Sequence, residues 1–86
     1  MARITSLILD VLKPHEPNVV QFAQHLAEAN TDCQVQVTVT EMDDKTESLV
    51  VVVTGRDIDF DAIDDALRAS GASLHSIDDV QSVSDE

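Results

Sequence analysis

Four strand-like apolar runs and two stretches of helical periodicity follow one another as βαββαβ within 86 residues. That order predicts an α+β sandwich: a four-stranded antiparallel sheet, strand order 4-1-3-2, with two helices on one face, the ferredoxin-like arrangement. Three observations predict it. The runs RITSLILDVL and SLVVVVT are apolar on successive positions, as central strands are. The run CQVQVTVTE alternates strictly, as a half-buried edge strand does. Two further segments repeat their apolar residues at three- and four-residue spacing, which is the period of a helix.

The first strand spans Arg3 to Leu12 and is stopped by Lys13-Pro14-His15-Glu16-Pro17. Each proline disfavours helical backbone in its predecessor, and Pro17 suits the first turn of a following helix. In that helix Val19, Val20, Phe22, Ala23, Leu26 and Ala27 share one face, with His25 outside, and Asn30 ends it. In the second strand Cys33, Val35, Val37 and Val39 point one way and Gln34, Gln36, Thr38 and Thr40 the other. A polar turn, Met42 to Glu47, leads into the third strand, closed by Gly55 and Arg56. A second helix starts near Asp57 or Asp59, buries Ile63, Ala66 and Leu67, and ends at Gly71. The last strand is ASLHSIDDV. The domain therefore spans 1–80, and 81–86 form a polar tail expected to fray.

This topology leaves one sheet face without helices. Gln34, Gln36, Thr38 and Thr40 line it, joined by Ile8, Asp10 and one set of valines from Val50 to Val53. A face with an apolar centre and a polar border, on a chain too short to bury more than about 60% of its unfolded surface, is a candidate surface for self-association.

Charge narrows the partners. Five Lys and Arg stand against seventeen Asp and Glu, a formal net charge of -12, so neither a nucleic-acid backbone nor an anionic membrane is an expected partner. Two phenylalanines with no Trp or Tyr also rule out a base-stacking platform. Asp10 and Lys13 break the N-terminal apolar run well short of the ~20 residues a span needs, and no cleavage site follows it, so a cytoplasmic location is expected. Carboxylates spread along the whole chain read first as the solvated surface of a halophile's protein.

The fold gathers the remaining acidity at two ends. One brings together Asp10, His15, Glu16, Glu41, Asp43, Asp44, Glu47 and His75; the other holds Arg56, Asp57, Asp59 and Asp61 near Asp32, Asp78 and Asp79. Hard cations require several oxygens, and copies of one chain in a ring can supply them jointly. Asp10, Glu16, Glu41 and Asp43 are the candidate metal ligands, with Asp57 and Asp59 as the alternative site. An EF-hand reading of Asp57, Asp59 and Asp61 fails, because Ala62 stands where that loop needs glycine and Arg68 where it needs glutamate. Carboxylates at a helix N-terminus, capping it and opposing its dipole, explain that segment better.

Other chemistries lack their residues. There is no CxxC, no paired histidine and no glycine-rich phosphate loop, and Cys33 alternates with valines as a buried strand residue does. No catalytic residue is assigned, and an enzyme is not expected.

The stretches LDVLKPHEP (Leu9 to Pro17), GRDIDFDAI (Gly55 to Ile63) and LHSIDDV (Leu74 to Val80) resemble an archaeal domain-of-unknown-function family, number two-eleven. The resemblance spans essentially the whole chain. It implies an archaeal source, a ferredoxin-like fold, assembly into rings of many subunits and calcium as a ligand; the stronger acidity points to a halophilic member. The expectation is a non-enzymatic protein that assembles with itself into rings, tubes or filaments, structural or cytoskeletal in role, when a divalent cation such as calcium binds. The competing expectation is a regulatory module of the ACT-like kind that binds a small metabolite, although Arg3, Lys13, Lys45, Arg56 and Arg68 form no basic cluster in the sequence.

Overall fold

The computed structural model describes residues 1–85. The elements are β1 (Ala2–Pro14), α1 (Val19–Glu28), β2 (Cys33–Met42), β3 (Thr46–Gly55), α2 (Phe60–Ala69) and β4 (Ser73–Ser84). All neighbouring strands are antiparallel and lie in the order β2-β3-β1-β4. The uniformly apolar strands are central and the alternating ones form the edges, as the sequence predicts.

The core lies between sheet and helices. Leu7, Leu9 and Val11 from β1 and Leu49, Val51 and Val53 from β3 point inward at every second position. They meet Phe22 and Leu26 of α1 and Ile63, Ala66 and Leu67 of α2, with Ile58 and Ala72 closing the helix ends. Cys33, Val35 and Val37 of β2 pack against this cluster. Val20 departs from the sequence expectation: it is 68% exposed, because the inward arc of α1 is centred on Phe22 and Leu26 and the residue at 20 falls beyond its rim.

The helix ends are built from local hydrogen bonds. Asn18 caps α1, its side chain accepting from the Gln21 amide at 2.9 Å while Gln21 Oε1 accepts from the Asn18 amide at 3.3 Å. Pro17, expected in the first turn, therefore lies just before the cap. Asp59 caps α2 by accepting from the Ala62 amide at 3.2 Å. Beyond α2, Gly71 adopts φ 79°, the left-handed turn in which the Gly71 and Ala72 amides bond back to the Arg68 and Leu67 carbonyls.

The first and last strands are longer than their apolar patterns indicate. β1 continues through Lys13 and Pro14, pairing with Glu47 and Thr46. β4 continues through Gln81, Ser82, Val83 and Ser84, opposite Ser6, Ile4, Arg3 and Ala2, so the first four residues of the segment expected to fray are paired strand, and Glu86 lies outside the described residues. Backbone pairing with a central strand carries such residues along whatever their polarity. The strands run 10 to 13 residues and the helices 10 each. At ~3.3 Å per strand residue and ~1.5 Å per helix residue, the helices span less than half the length of the sheet.

Candidate functional site

The open sheet face is made by residues of the other parity. Ile8 pairs with Val52 and Asp10 with Val50 across β1 and β3, while Gln36 pairs with Val52 and Thr38 with Val50 across β2 and β3. Ile8, Val50 and Val52 are half-buried by their neighbours in the sheet and no helix packs on them; Gln34, Gln36 and Thr38 border them, exposed. Thr40 lies at a register shift between Val39 and Glu41, which brings Glu41 opposite Ser48 and onto this same face. Two shifts in β4, at Asp78 and at His75, bend the opposite edge.

The sheet divides the acidic end that the sequence brings together. Asp10 and Glu41 face the open side, whereas Glu47 is on the helix side, because it shares parity with Leu49 and Val51. Asp10 also borders a shallow cleft of about 260 Å³ with Leu12, Ser48 and His75. Glu16 is exposed on the β1–α1 loop and Asp43 in the β2–β3 turn, its carbonyl engaged by His15. Among the described residues no three His, Cys, Asp or Glu side chains converge as a metal site. Asp10 and Glu41 share the open face while Glu16 and Asp43 lie on the loop and turn beyond the strands, so the four are not gathered into one site within a single chain.

The other end is likewise rearranged. Asp59 is occupied as the α2 cap, and its own amide donates to Asn30 Oδ1 at 2.7 Å. Asp57 lies in a polar cleft of about 490 Å³ with Arg3, Thr31, Asp32, Arg56 and Asp85. Arg3 is spent there, its Nε 2.7 Å from Asp85 Oδ2 and its Nη1 donating to the Arg56 carbonyl at 2.7 Å. Asp78 and Asp79 are absent from that end, since the extension of β4 leaves them mid-strand, Asp79 opposite Ile8.

A polar network on the helix side is the feature that sequence reading passes over. Lys13 is fully buried, and its Nζ donates to the Pro14 carbonyl at 2.8 Å and to the Pro17 carbonyl. The same ammonium is 3.0 Å from Glu47 Oε1 and 5.9 Å from the centre of the Phe22 ring. Among the described residues Glu47 Oε1 has no hydrogen-bond partner, so charge alone holds it to the ammonium. Glu47 Oε2 is 3.0 Å from His15 Nδ1. The hydrogen bond to His15 comes first, and the pairing with Lys13 second, in holding the Glu47 carboxyl below its usual range; the same bond to Glu47 raises His15 above its own. Burial pushes the Cys33 thiol up, away from nucleophilic character. The signal for the network was present: Lys13 follows Leu9 and Val11 at two-residue steps, and Glu47 precedes Leu49 and Val51 in the same way.

A family model described as DUF211, Uncharacterized ArCR, COG1888, matches residues 5–84. The chain is also 39% identical over 80 residues to Uncharacterized protein MJ0319 of Methanocaldococcus jannaschii, an alignment covering 93% of this chain and 82% of that relative. No helix among the described residues is long and apolar enough to cross a membrane.

Proposed function

The chain belongs to the DUF211 family, and from that premise we propose that it is a non-enzymatic subunit of a homo-oligomeric ring or tube, associating through its open sheet face with calcium promoting the contact. The observation that carries this reading is the uncovered apolar centre of that face, Ile8, Val50 and Val52 within a polar border. A second copy supplies the missing layer. A two-fold contact through one face makes pairs, and closing a ring requires a second, heterologous contact. Val39 and Met42 at the β2 margin and Ile77 and Val80 at the β4 margin offer exposed apolar side chains on opposite sides for it.

Subunits at -12 repel one another. Calcium bridging Asp10 or Glu41 of one copy to carboxylates of the next removes that repulsion and adds directional bonds. Light scattering with and without millimolar calcium at fixed ionic strength tests this: particles grow with calcium, and equal size in both overturns the cation's role. The second reading, a module that binds a small metabolite, draws on the polar cleft around Arg56 and Asp57. A metabolite that raises Tm without changing particle size favours it.

A further inference from the structure

The two margins of the sheet are built differently. β4 carries Asp78, Asp79 and two register shifts, and charges and bulges are the features that keep an edge strand from pairing with another chain. β2 has neither over most of its length. From Cys33 to Val39 its register with β3 runs without a shift, and Cys33 to Thr40 holds no charged residue and no proline, in a chain with seventeen Asp and Glu. β2 pairs with β3 alone and, among the described residues, its backbone bonds to no other element. Every second residue of this edge therefore turns an N–H and a C=O outward.

We propose that the β2 edge pairs antiparallel with β2 of a second copy, across a two-fold axis at Gln36, so that two four-stranded sheets become one. The unbroken run from Cys33 to Val39 is centred on Gln36, so an axis there uses all of it and forms roughly six to eight backbone bonds between copies. Gln36 meets its own counterpart, and a carboxamide, which both donates and accepts, is its own complement. Val35 then lies opposite Val37 of the second copy, and Gln34 opposite Thr38. Apolar side chains stay on the helix side and polar ones on the open side in both copies.

Charge selects the same place and the same partner. Copies at -12 repel one another, and along β2 the flanking carboxylates, Asp32 and Glu41, stand at the ends of the run, away from its centre. No Lys or Arg lies on this strand to attract an acidic peptide, and no Asp or Glu lies between Cys33 and Thr40 to attract a basic one. What the edge offers is backbone and neutral side chains that match a copy of themselves. The pairing is separate from the calcium-promoted contact across the open face, and it requires no ion.

Sedimentation of the full wild-type chain in EDTA tests the pairing without a variant. Pairs form, and they tighten as sodium chloride rises from ~0.1 to ~1 M and the Debye length shrinks from ~10 to ~3 Å. A chain that stays single across that range, as when the edge serves an extended segment of a different protein, overturns the proposal. Gln36→Lys makes the chain less negative yet sets two ammonium groups opposite each other, and weakens the pair by up to about fivefold. Cysteine cross-linking in EDTA reads the axis, with Cys33→Ala removing the one native thiol. Directly opposite Cβ atoms lie about 4.5–5.5 Å apart, near disulfide reach, whereas a residue two positions from the axis is about 13 Å along the strand from its counterpart. On mild oxidation Gln36→Cys forms a covalent dimer. Gln34→Cys and Thr38→Cys each stay single, and the two mixed together cross-link. A Gln36→Cys chain that stays single, or a Gln34→Cys chain that joins itself as readily, overturns the two-fold pairing. Light scattering reads the calcium effect separately. No growth with calcium in a chain that cross-links at position 36 breaks the open-face reading alone, and growth without the cross-link breaks the edge pairing alone.

Discussion

The two faces of the sheet share a backbone and obey different chemistry. On the helix side Leu9, Leu49, Val51, Phe22, Leu26, Ile63 and Leu67 are fully buried, and even the charges there, Lys13 and Glu47, are removed from water. On the open side Ile8, Val50 and Val52 are only half covered, and Asp10 sits between Val50 and Ser76. The contrast teaches that one face supplies the stability of the single chain, whereas the other is free to supply contacts between chains. Substitutions on the first are felt in Tm, and those on the second in particle size.

The largest effect is expected from Phe22→Ala, which empties the space between α1 and the sheet. A loss of about 3–5 kcal/mol follows for a fully buried ring, read by urea denaturation of the dilute chain. That is a large share of the total stability of a domain this size.

Next comes Lys13→Met. It fills the same space but leaves Glu47 with His15 as its only cation and removes the donors to Pro14 and Pro17. A destabilisation of about 2–4 kcal/mol is expected from breaking a buried pair at one end, and Lys13→Met with Glu47→Leu recovers most of it. If the double variant is as unstable as the single one, the pair contributes more than compensation of its own charge.

Acidity acts through the same network from two directions. Glu47 has a lowered pKa when folded, so its contribution is complete above about 4.5 and disappears as pH falls through the lowered value. His15 has a raised one, so its contribution is complete below about 6.5 and disappears as pH rises through the raised value. Stability contributed by the pair is therefore greatest between pH 4.5 and 6.5. Thermal melts of wild type and Glu47→Gln across pH check this: the difference between them narrows on both sides of the window.

The smallest change in single-chain stability and the largest in assembly are expected from Val52→Asp on the open face. Its half-covered side chain limits the cost to roughly 1 kcal/mol in the dilute chain. A charge at the centre of the contact keeps copies apart, and light scattering with calcium should then match that without it. Asp10→Asn sharpens the same comparison by leaving apolar contacts intact and removing one bridging carboxylate.

Much of the fold was legible because period is local. Alternation in β2, the unbroken apolar runs of β1 and β3, the helical spacing around Phe22 and Leu26, and Gly71 after α2 each state their element within about ten residues. The site was less legible. Asp10 and Glu47 looked like neighbours in one acidic end, yet they face opposite sides, and Glu47 looked like part of a turn although it is a buried strand residue. The end of β4 was hidden for a related reason, since a polar sequence becomes strand when a central strand offers it hydrogen-bond partners.

Sequence alone determined the order of elements, which strands are central, the net charge of -12 and the existence of a face without helices. Tertiary structure decided which charges meet. The side-chain period of a strand is two, so a one-residue difference in register moves a carboxylate from one face to the other, and register is set by pairing between distant segments. The meeting of His15 with Glu47 and the turn carbonyls, 28 to 32 residues away, belongs to that second kind of information.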